Sequence, residues 1–307
     1  MTAPLMLPGL PVHLVTDSSA QFVPADLARQ YQVRILPLGI RVGEHFYNEP
    51  ELDLVKLQGV SHREKAFPTL EIPRPEQIAE FYQQVSYDGR PIVAIHMSGD
   101  LSPLVQNARQ AAIWLGSRPN VTVIDSREIG VTLACLVTEV ANLLLANTPI
   151  HELERLIRGL AKHTYSIYLT EALEALNRQK ILRPSQAILG EMLKIKPVLS
   201  MENGKMIAIE KTRTRAQGLE KLVEFSSEFD EMQQLVFLHP QTNLSNELRY
   251  ISERLNNALM GRKRKWPAQH YLPSLATFIG CEAVGVAIFE GAVDEHSGKT
   301  YHFSSVD

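Results

Sequence analysis

The sequence predicts an α/β protein of two domains, the first built on an open parallel sheet, and three observations carry that expectation. The chain has 307 residues, more than one ordinary core accommodates and enough for two. Three short apolar runs in its first half end in a small hydroxyl residue beside aspartate or glycine: Val12-His13-Leu14-Val15-Thr16-Asp17-Ser18-Ser19, Ile92-Val93-Ala94-Ile95-His96-Met97-Ser98-Gly99, and Val121-Thr122-Val123-Ile124-Asp125-Ser126. A β-branched run of this kind that feeds a helical pattern reads as a parallel strand entering a helix. In the second half, strand-like and helical runs alternate around a hairpin signal, so that half also reads as α/β.

Taken in order, the segment after the first strand, Pro24 to Tyr31, reads as a helix with proline in its first turn, and Val33 to Val42 as an apolar strand interrupted by Pro37 and Gly39. From Gly43 to Pro75 the chain turns irregular, with Pro50, Pro68, Pro73 and Pro75 and scattered charge. Ile78, Phe81, Tyr82 and Val85 stand at helical spacing within Pro75 to Tyr87. After the Ile92 strand, Ser102-Pro103 pairs a capping residue with proline at the first helical position and opens a helix through Leu115. Val131 to Ala146 is apolar on nearly every face, which makes it an interior helix that either fills the core or lines a cavity. His151 to Lys162 is amphipathic, and a fresh apolar start at Tyr165-Ser166-Ile167-Tyr168-Leu169 places the domain boundary there, giving 1–164 and 165–307.

Beyond the boundary, Glu171 to Asn177 and Ser185 to Ile195 read as helices. Val198 to Met201 and Met206 to Lys211 flank Glu202-Asn203-Gly204-Lys205, where Asn-Gly supplies the positive φ of a tight hairpin. Two more helices (Ala216 to Phe229, Asn243 to Leu259) and strands at Leu235 to Leu238 and Val284 to Phe289 complete the pattern.

Composition narrows the function. The formal charge of −3 gives no general drive toward nucleic acid or anionic membranes. Cys135 and Cys281 lie in apolar surroundings without ligand spacing, which argues against a metal site or disulfide framework and for a reducing, cytoplasmic setting. The opening Met1 to Pro8 lacks the basic and apolar stretches of a signal peptide, so export is not expected. Val131 to Ala146 falls short of the ~20 residues of a membrane span.

Ligands of open parallel sheets gather at the carboxyl ends of the strands, an edge where the three runs would bring Ser18, Ser98, Ser102 and Ser126. Hydroxyls and free helix amides there suit an anion, and Ser102 reads either as a plain helix cap or as a cap that also meets ligand. No phosphate loop, metal spacing or Gly-x-Gly-x-x-Gly accompanies them, which points to binding rather than turnover. A serine hydrolase acting on an acyl ester would use Ser98 with His96 or His13, although Met97-Ser98-Gly99 is not a Gly-x-Ser-x-Gly elbow. Asp17, Asp100 and Asp125 read as turn caps before they read as a metal cluster. A third class is a pure interaction protein whose partner docks on charged surface, with Arg213 and Arg215 after the hairpin and the run Arg262-Lys263-Arg264-Lys265 read as a solvated loop.

The order of these features resembles the DegV family, bacterial fatty-acid-binding proteins whose members include the FakB subunits of fatty acid kinase. The resemblance rests on Thr16-Asp17-Ser18-Ser19, Pro73-Arg74-Pro75, Met97-Ser98-Gly99-Asp100-Leu101-Ser102, Asp125-Ser126, the block Leu189 to Leu199, Asn203-Gly204-Lys205, Lys211-Thr212-Arg213-Thr214 and Gly280-Cys281-Glu282-Ala283-Val284-Gly285. It implies a parallel, Rossmann-like N-terminal sheet and a smaller α/β C-terminal domain, with a long-chain fatty acid between them and its carboxylate met by hydroxyls of the first domain. It also implies a carrier without cofactor, metal or catalysis of its own, one that presents the acid to the catalytic subunit of a fatty acid kinase.

Residue by residue, the resemblance makes Ser102 the first carboxylate contact and Ser98 the second, with Ser18 at the same edge. Where the family has Thr-Ser-Gln in the long loop this chain has Leu70-Glu71-Ile72, leaving Thr69, one position away, as the loop's hydroxyl. Phe278 stands where the family has histidine, and Gly280-Cys281-Glu282 replaces Gly-Pro-Gly. Leu101-Ser102-Pro103-Leu104 keeps the serine of Leu-Ser-Gly-Thr and loses its glycine and threonine. Arg213 matches a family position, and Arg178, Lys180 and Arg183 keep a basic neighbourhood around Gln179-Lys180-Ile181, which stands for the family's Gly-Gly-Arg; Arg213 and Arg183 are the partner-facing candidates.

Overall fold

A computed structural model describes residues 9–229, 231–240, 245–258, 266–293 and 300–301. The opening segment Met1 to Pro8 and the basic run Arg262 to Lys265 lie outside them. The first half runs β1 (His13–Asp17), α1 (Leu27–Gln30), β2 (Arg34–Leu36), β3 (Gly39–Val42), β4 (His45–Asn48), α2 (Leu54–Glu64), β5 (Thr69–Glu71), α3 (Pro75–Val85), β6 (Ile92–His96), α4 (Leu104–Leu115), β7 (Val121–Asp125), α5 (Val131–Leu145) and α6 (Ile150–Leu160). The second half runs β8 (Thr164–Leu169), α7 (Leu173–Arg178), α8 (Pro184–Met192), β9 (Lys196–Glu202), β10 (Lys205–Thr212), α9 (Arg215–Ser227), β11 (Gln234–His239), α10 (Ser245–Ala258), β12 (Ala268–His270), α11 (Pro273–Ile279) and β13 (Val284–Phe289). None of the described helices is long and apolar enough to cross a membrane.

The fold is a two-domain α/β arrangement. Its first sheet has the order β2-β1-β6-β7 and is parallel throughout. Strand order reverses between β1 and β6, the switch point where open sheets leave a crevice. The second sheet, β10-β9-β8-β13-β11-β12, draws all six strands from Thr164 onward and is mixed. Both of its faces are buried, and the sequence records this as alternation between two cores. Ile167, Leu169, Val198, Leu235, Phe237, Val284, Val286 and Ile288 face the core that holds Leu219, Leu222 and Val223 of α9. Tyr168, Leu199, Val236, Leu238, Ala287 and Phe289 face the other way, into a core continuous with the first sheet and α5.

Three stretches differ from expectation. The helix expected over Pro24 to Tyr31 contracts to four residues, none of them fully buried, because so short an amphipathic turn has no face to anchor it. The Val33 to Val42 strand divides at Pro37, which lacks an amide proton; β2 stays in the parallel sheet while β3 enters a separate antiparallel sheet, β4-β3-β5. The supposedly irregular Gly43 to Pro75 holds that sheet's two outer strands and the eleven-residue α2. Asp53 caps α2 by accepting from the Lys56 amide at 2.7 Å, Leu54, Leu57 and Val60 bury one face, and Lys65 ends it at φ 50°. The hairpin forms as read: Asn203 (φ 52°) and Gly204 (φ 90°) make the two-residue turn between β9 and β10.

A polar seam ties α5 to the second half. Glu128, just ahead of α5, accepts from the hydroxyls of Thr132 (2.7 Å) and Thr164 (3.0 Å), the latter at the start of β8. Cys135 donates to the Gln234 side chain at 3.0 Å, and Gln234 donates to the Val23 carbonyl at 2.7 Å. Burial pushes the Glu128 carboxyl up to about 8, against the hydroxyl donors, which favour the anion. The folded chain therefore holds more protons than the unfolded one between about 4.5, the ordinary value, and about 8. Stability contributed by this group is fully present below the lower value and is lost as pH rises through the upper one. Thermal melts from pH 5 to pH 8 are expected to show a falling Tm in the wild-type chain and a shallower fall in Glu128→Gln; equal slopes would contradict the buried neutral carboxyl.

Candidate functional site

The chain itself occupies most of the edge where the parallel strands end. Asp17, fully buried, accepts from the Met97 amide (2.9 Å), from the amide and hydroxyl of Ser19, and from His96 Nδ1 (3.1 Å). His96 Nε2 lies 2.9 Å from the Tyr82 hydroxyl, and burial, followed by the Asp17 charge, raises Tyr82 above its ordinary range, so the phenol stays protonated. With the imidazole donating through Nδ1 and accepting through Nε2, its two nitrogens are both committed. Ser126 donates to the His96 carbonyl at 2.7 Å, and Asp125 accepts from the amides of Gly99 and Arg127. Asp17 and Asp125 thus serve the turns that follow their strands.

The second half closes this edge. The hairpin tip reaches across so that Ser98 Oγ donates to the Gly204 carbonyl at 2.6 Å, and a Cβ on Gly204 would lie 2.9 Å from that oxygen. Ser18 donates at 2.6 Å to Glu49, whose other oxygen accepts from the Ser274 amide at 2.6 Å in the first turn of α11. Burial lifts the Glu49 carboxyl to about 7, with the Asp17 charge adding to the rise and the donors opposing it. Ser98 therefore joins the two halves directly, and Ser18 does so through Glu49. A nucleophile–base pair of Ser98 with His96 is absent from these contacts, and His13, at the far end of β1, pairs with Asp88 at 2.7 Å.

The open space lies beside this edge. A cavity of about 990 Å³ runs between the halves. The first half walls it with α2 (Gln58, Ser61, His62), the segment from Lys65 into β5 at Leu70, Ile72 beyond that strand, and Leu101-Ser102-Pro103 ahead of α4. The second half contributes Ala172, Ala175, Arg178 and Gln179 around α7, Ala276, Thr277 and Phe278 of α11, and Gly280-Cys281-Glu282. Among the described residues, two polar contacts cross it. Gln58 Nε2 donates to Glu282 at 3.0 Å, and the Arg178 guanidinium lies 5.0 Å from the centre of the Phe67 ring. Burial, then the Glu282 charge, pushes the Cys281 thiol up to about 11, which keeps it a neutral wall group.

Of the sequence-derived candidates, the structure brings Ser102, Thr69 and Phe278 into one cavity and leaves Ser98 and Ser18 outside its lining. Ser102 lies one position ahead of Pro103, the N-cap residue of α4, rather than at the cap the sequence suggests; its Oγ accepts from the Leu104 amide at 3.3 Å, and its own proton has no acceptor among the described residues. Thr69 is exposed on β5, its hydroxyl 3.4 Å from the Arg41 carbonyl. Phe278 is buried in α11. Arg183 and Arg213 are exposed on the second half, Arg183 at the start of α8 and Arg213 between β10 and α9. Gln58 and Ser61 went unnoticed because α2 did; Asp53 three residues before Lys56, with Leu54, Leu57 and Val60 at helical spacing, was the available signal.

Comparison with known proteins places this geometry. The profile described as "Uncharacterised protein, DegV family" matches residues 11–291. A DegV domain-containing protein of Clostridium perfringens is 26% identical over 216 residues, 69% of this chain and 76% of that protein. Among solved structures, a DegV family protein from Thermus thermophilus described as fatty-acid-binding superposes with a TM-score of 0.77 at 24% identity, covering 91% of this chain and 99% of its own. A fatty-acid-binding DegV family protein from Streptococcus agalactiae superposes at 0.79 and 21%, covering 92% and 99%.

Proposed function

The chain belongs to the DegV family, and on that premise we propose that it is a carrier that holds one long-chain fatty acid in the cavity between its halves. The observation that supports this most is the cavity itself, largely apolar, interdomain, and bordered by a serine whose hydroxyl proton is free and which sits at a helix start. In this reading the Ser102 hydroxyl donates to the carboxylate at the positive end of α4, Thr69 offers a second hydroxyl, and Phe278 packs against the acyl chain where the family carries histidine. Ser98 and Ser18 act at one remove, by fixing the hairpin tip and Glu49. We set the boundary between head-group and chain-covering domains at 164/165, one residue into β8.

Energetics favour a carrier of this type. At about 0.8 kcal/mol per buried methylene, a tail of about sixteen carbons contributes on the order of 10 kcal/mol before ordering costs, so the tail dominates affinity while the head group orients it. Turnover is not part of the reading, because the hydroxyl and imidazole that a hydrolase would need are each committed elsewhere. Two free cysteines suit the cytoplasm, where we place the protein.

Titration with palmitic acid tests the site. Saturable one-to-one binding is expected, weakened roughly 10-fold by Ser102→Ala from loss of a charge-assisted hydrogen bond worth ~1.5 kcal/mol or more. Ala66→Trp, which places an indole at the half-buried cavity wall, is expected to abolish it. Wild-type affinity in both variants would contradict the placement.

The carrier would hand its acid to the catalytic subunit of a fatty acid kinase. Support comes from the face around α8, which exposes Ile188, Leu189, Met192 and Leu193 beside Arg183, with Arg213 just beyond the Thr212–Lys196 pairing that follows α8. Reversing both charges, Arg183→Glu with Arg213→Glu, is expected to abolish acyl phosphate formation by such a subunit while leaving palmitate affinity unchanged. Undiminished acyl phosphate formation would remove these arginines from the interface.

A further inference from the structure

Glu49 joins two walls of the cavity without lining it. It begins the short turn Glu49–Glu51 that leads through Asp53 into α2, whose Gln58, Ser61 and His62 form one wall. Its carboxylate accepts from the Ser274 amide in the first turn of α11, whose Ala276, Thr277 and Phe278 form another. Leu272, at the N-cap of α11, offers that turn no side-chain acceptor, so the carboxylate from the first half takes its place. The other carboxylate oxygen accepts from Ser18, and the Glu49 amide donates to the Leu38 carbonyl at 2.9 Å, which anchors the residue in the first half. Glu49 is 2% exposed. Facing it are Asp17 and Ser18 at the end of β1, with His96 of β6 bonded to Asp17 and Tyr82 of α3 bonded to His96, and Ser274 of α11; no cationic side chain is among its described partners.

On the fatty-acid reading above, on which this rests, we propose that Glu49 is a clamp on the cavity: it ties α11 to the root of α2 when neutral and loosens that tie when charged, and so sets how readily the bound acid leaves. Glu49 touches no ligand; it is a positioning residue that acts through the two helices. In the closed arrangement burial, then the Asp17 charge, holds its carboxyl at about 7 against the Ser18 and Ser274 donors, above the ordinary 4.5. Where α11 shifts and water reaches Glu49, the ordinary value returns. The closed arrangement therefore binds more protons between these two values. Its advantage is fully present below the lower one and is lost as pH rises through the upper one. Packing around α5 holds the halves in both states, and the change is local to the flank of the cavity.

Release of palmitic acid is timed from pH 6 to pH 8 in the wild-type, Glu49→Gln and Ser18→Ala proteins, and hydrogen exchange of the α11 segment, corrected for intrinsic rates, is followed in the lipid-free proteins over the same range. The wild-type release rate is expected to rise by up to about ten-fold, the limit set by the difference between about 7 and 4.5, and protection of α11 to fall in step. Glu49→Gln, which keeps the shape and carries no charge, is expected to release slowly with a flat profile. Ser18→Ala removes a donor that favours the anion, so its rise is expected at higher pH, a displacement that the buried carboxyls Glu128 and Glu139, which do not bond Ser18, would not produce. Flat protection of α11 would overturn the clamp whether or not palmitate binds. A wild-type release rate independent of pH, or a Glu49→Gln profile that matches a rising wild-type one, would overturn the clamp and leave the carrier standing. A wild-type protein that takes up no palmitate at any of these pH values would overturn the carrier reading and the control of release together.

Discussion

The apolar core that runs from the parallel sheet through α5 to the second sheet is the constraint on which the molecule's geometry depends. Eleven of the fifteen residues of α5 are buried, and the same core includes Leu14 and Ile95 on one side and Tyr168, Val236 and Phe289 on the other. Each such side chain contributes about 1.5–3 kcal/mol on burial, far more than any one of the polar contacts between the halves. The halves are therefore held at a set distance by packing, and the hydrogen bonds of Glu128, Cys135 and Gln234 specify alignment within it. A cavity between domains keeps its shape only if something else fixes the domains, and here that is α5 and its neighbours.

Given that spacing, the position of the cavity follows. The strand-end crevice, the default site of an open α/β sheet, is filled by the Asp17, His96 and Tyr82 network and capped by the hairpin at Gly204. What remains open is the flank bounded by α2, the start of α4, α7 and α11. Ser102 belongs to both places, since it follows the β6 strand end and also faces the cavity. Its place at the start of α4 gives it a backbone amide to satisfy and a proton to spare.

Legibility in the sequence tracked the range of the interactions involved. The parallel strands, α5 and the Asn203-Gly204 turn were legible because β-branched runs, all-round apolarity and positive-φ residues act over a few positions. The helix α2 was legible in principle but was masked by the prolines and charges around it. The partners of Ser98 and Ser18 were not legible at all. Ser98 finds Gly204 across 106 positions and Ser18 finds Glu49 across 31, so only the assembled fold decides that these hydroxyls face protein rather than ligand.

The central claim is that the cavity carries a fatty acid, and the most direct measurement of it is the mass of the protein purified without added lipid, first under native conditions and then after denaturation. The account predicts a native mass that exceeds the chain by one long-chain fatty acid, released and identified on unfolding. A native mass equal to that of the chain alone, unchanged after incubation with fatty acids of differing length and saturation, would contradict it.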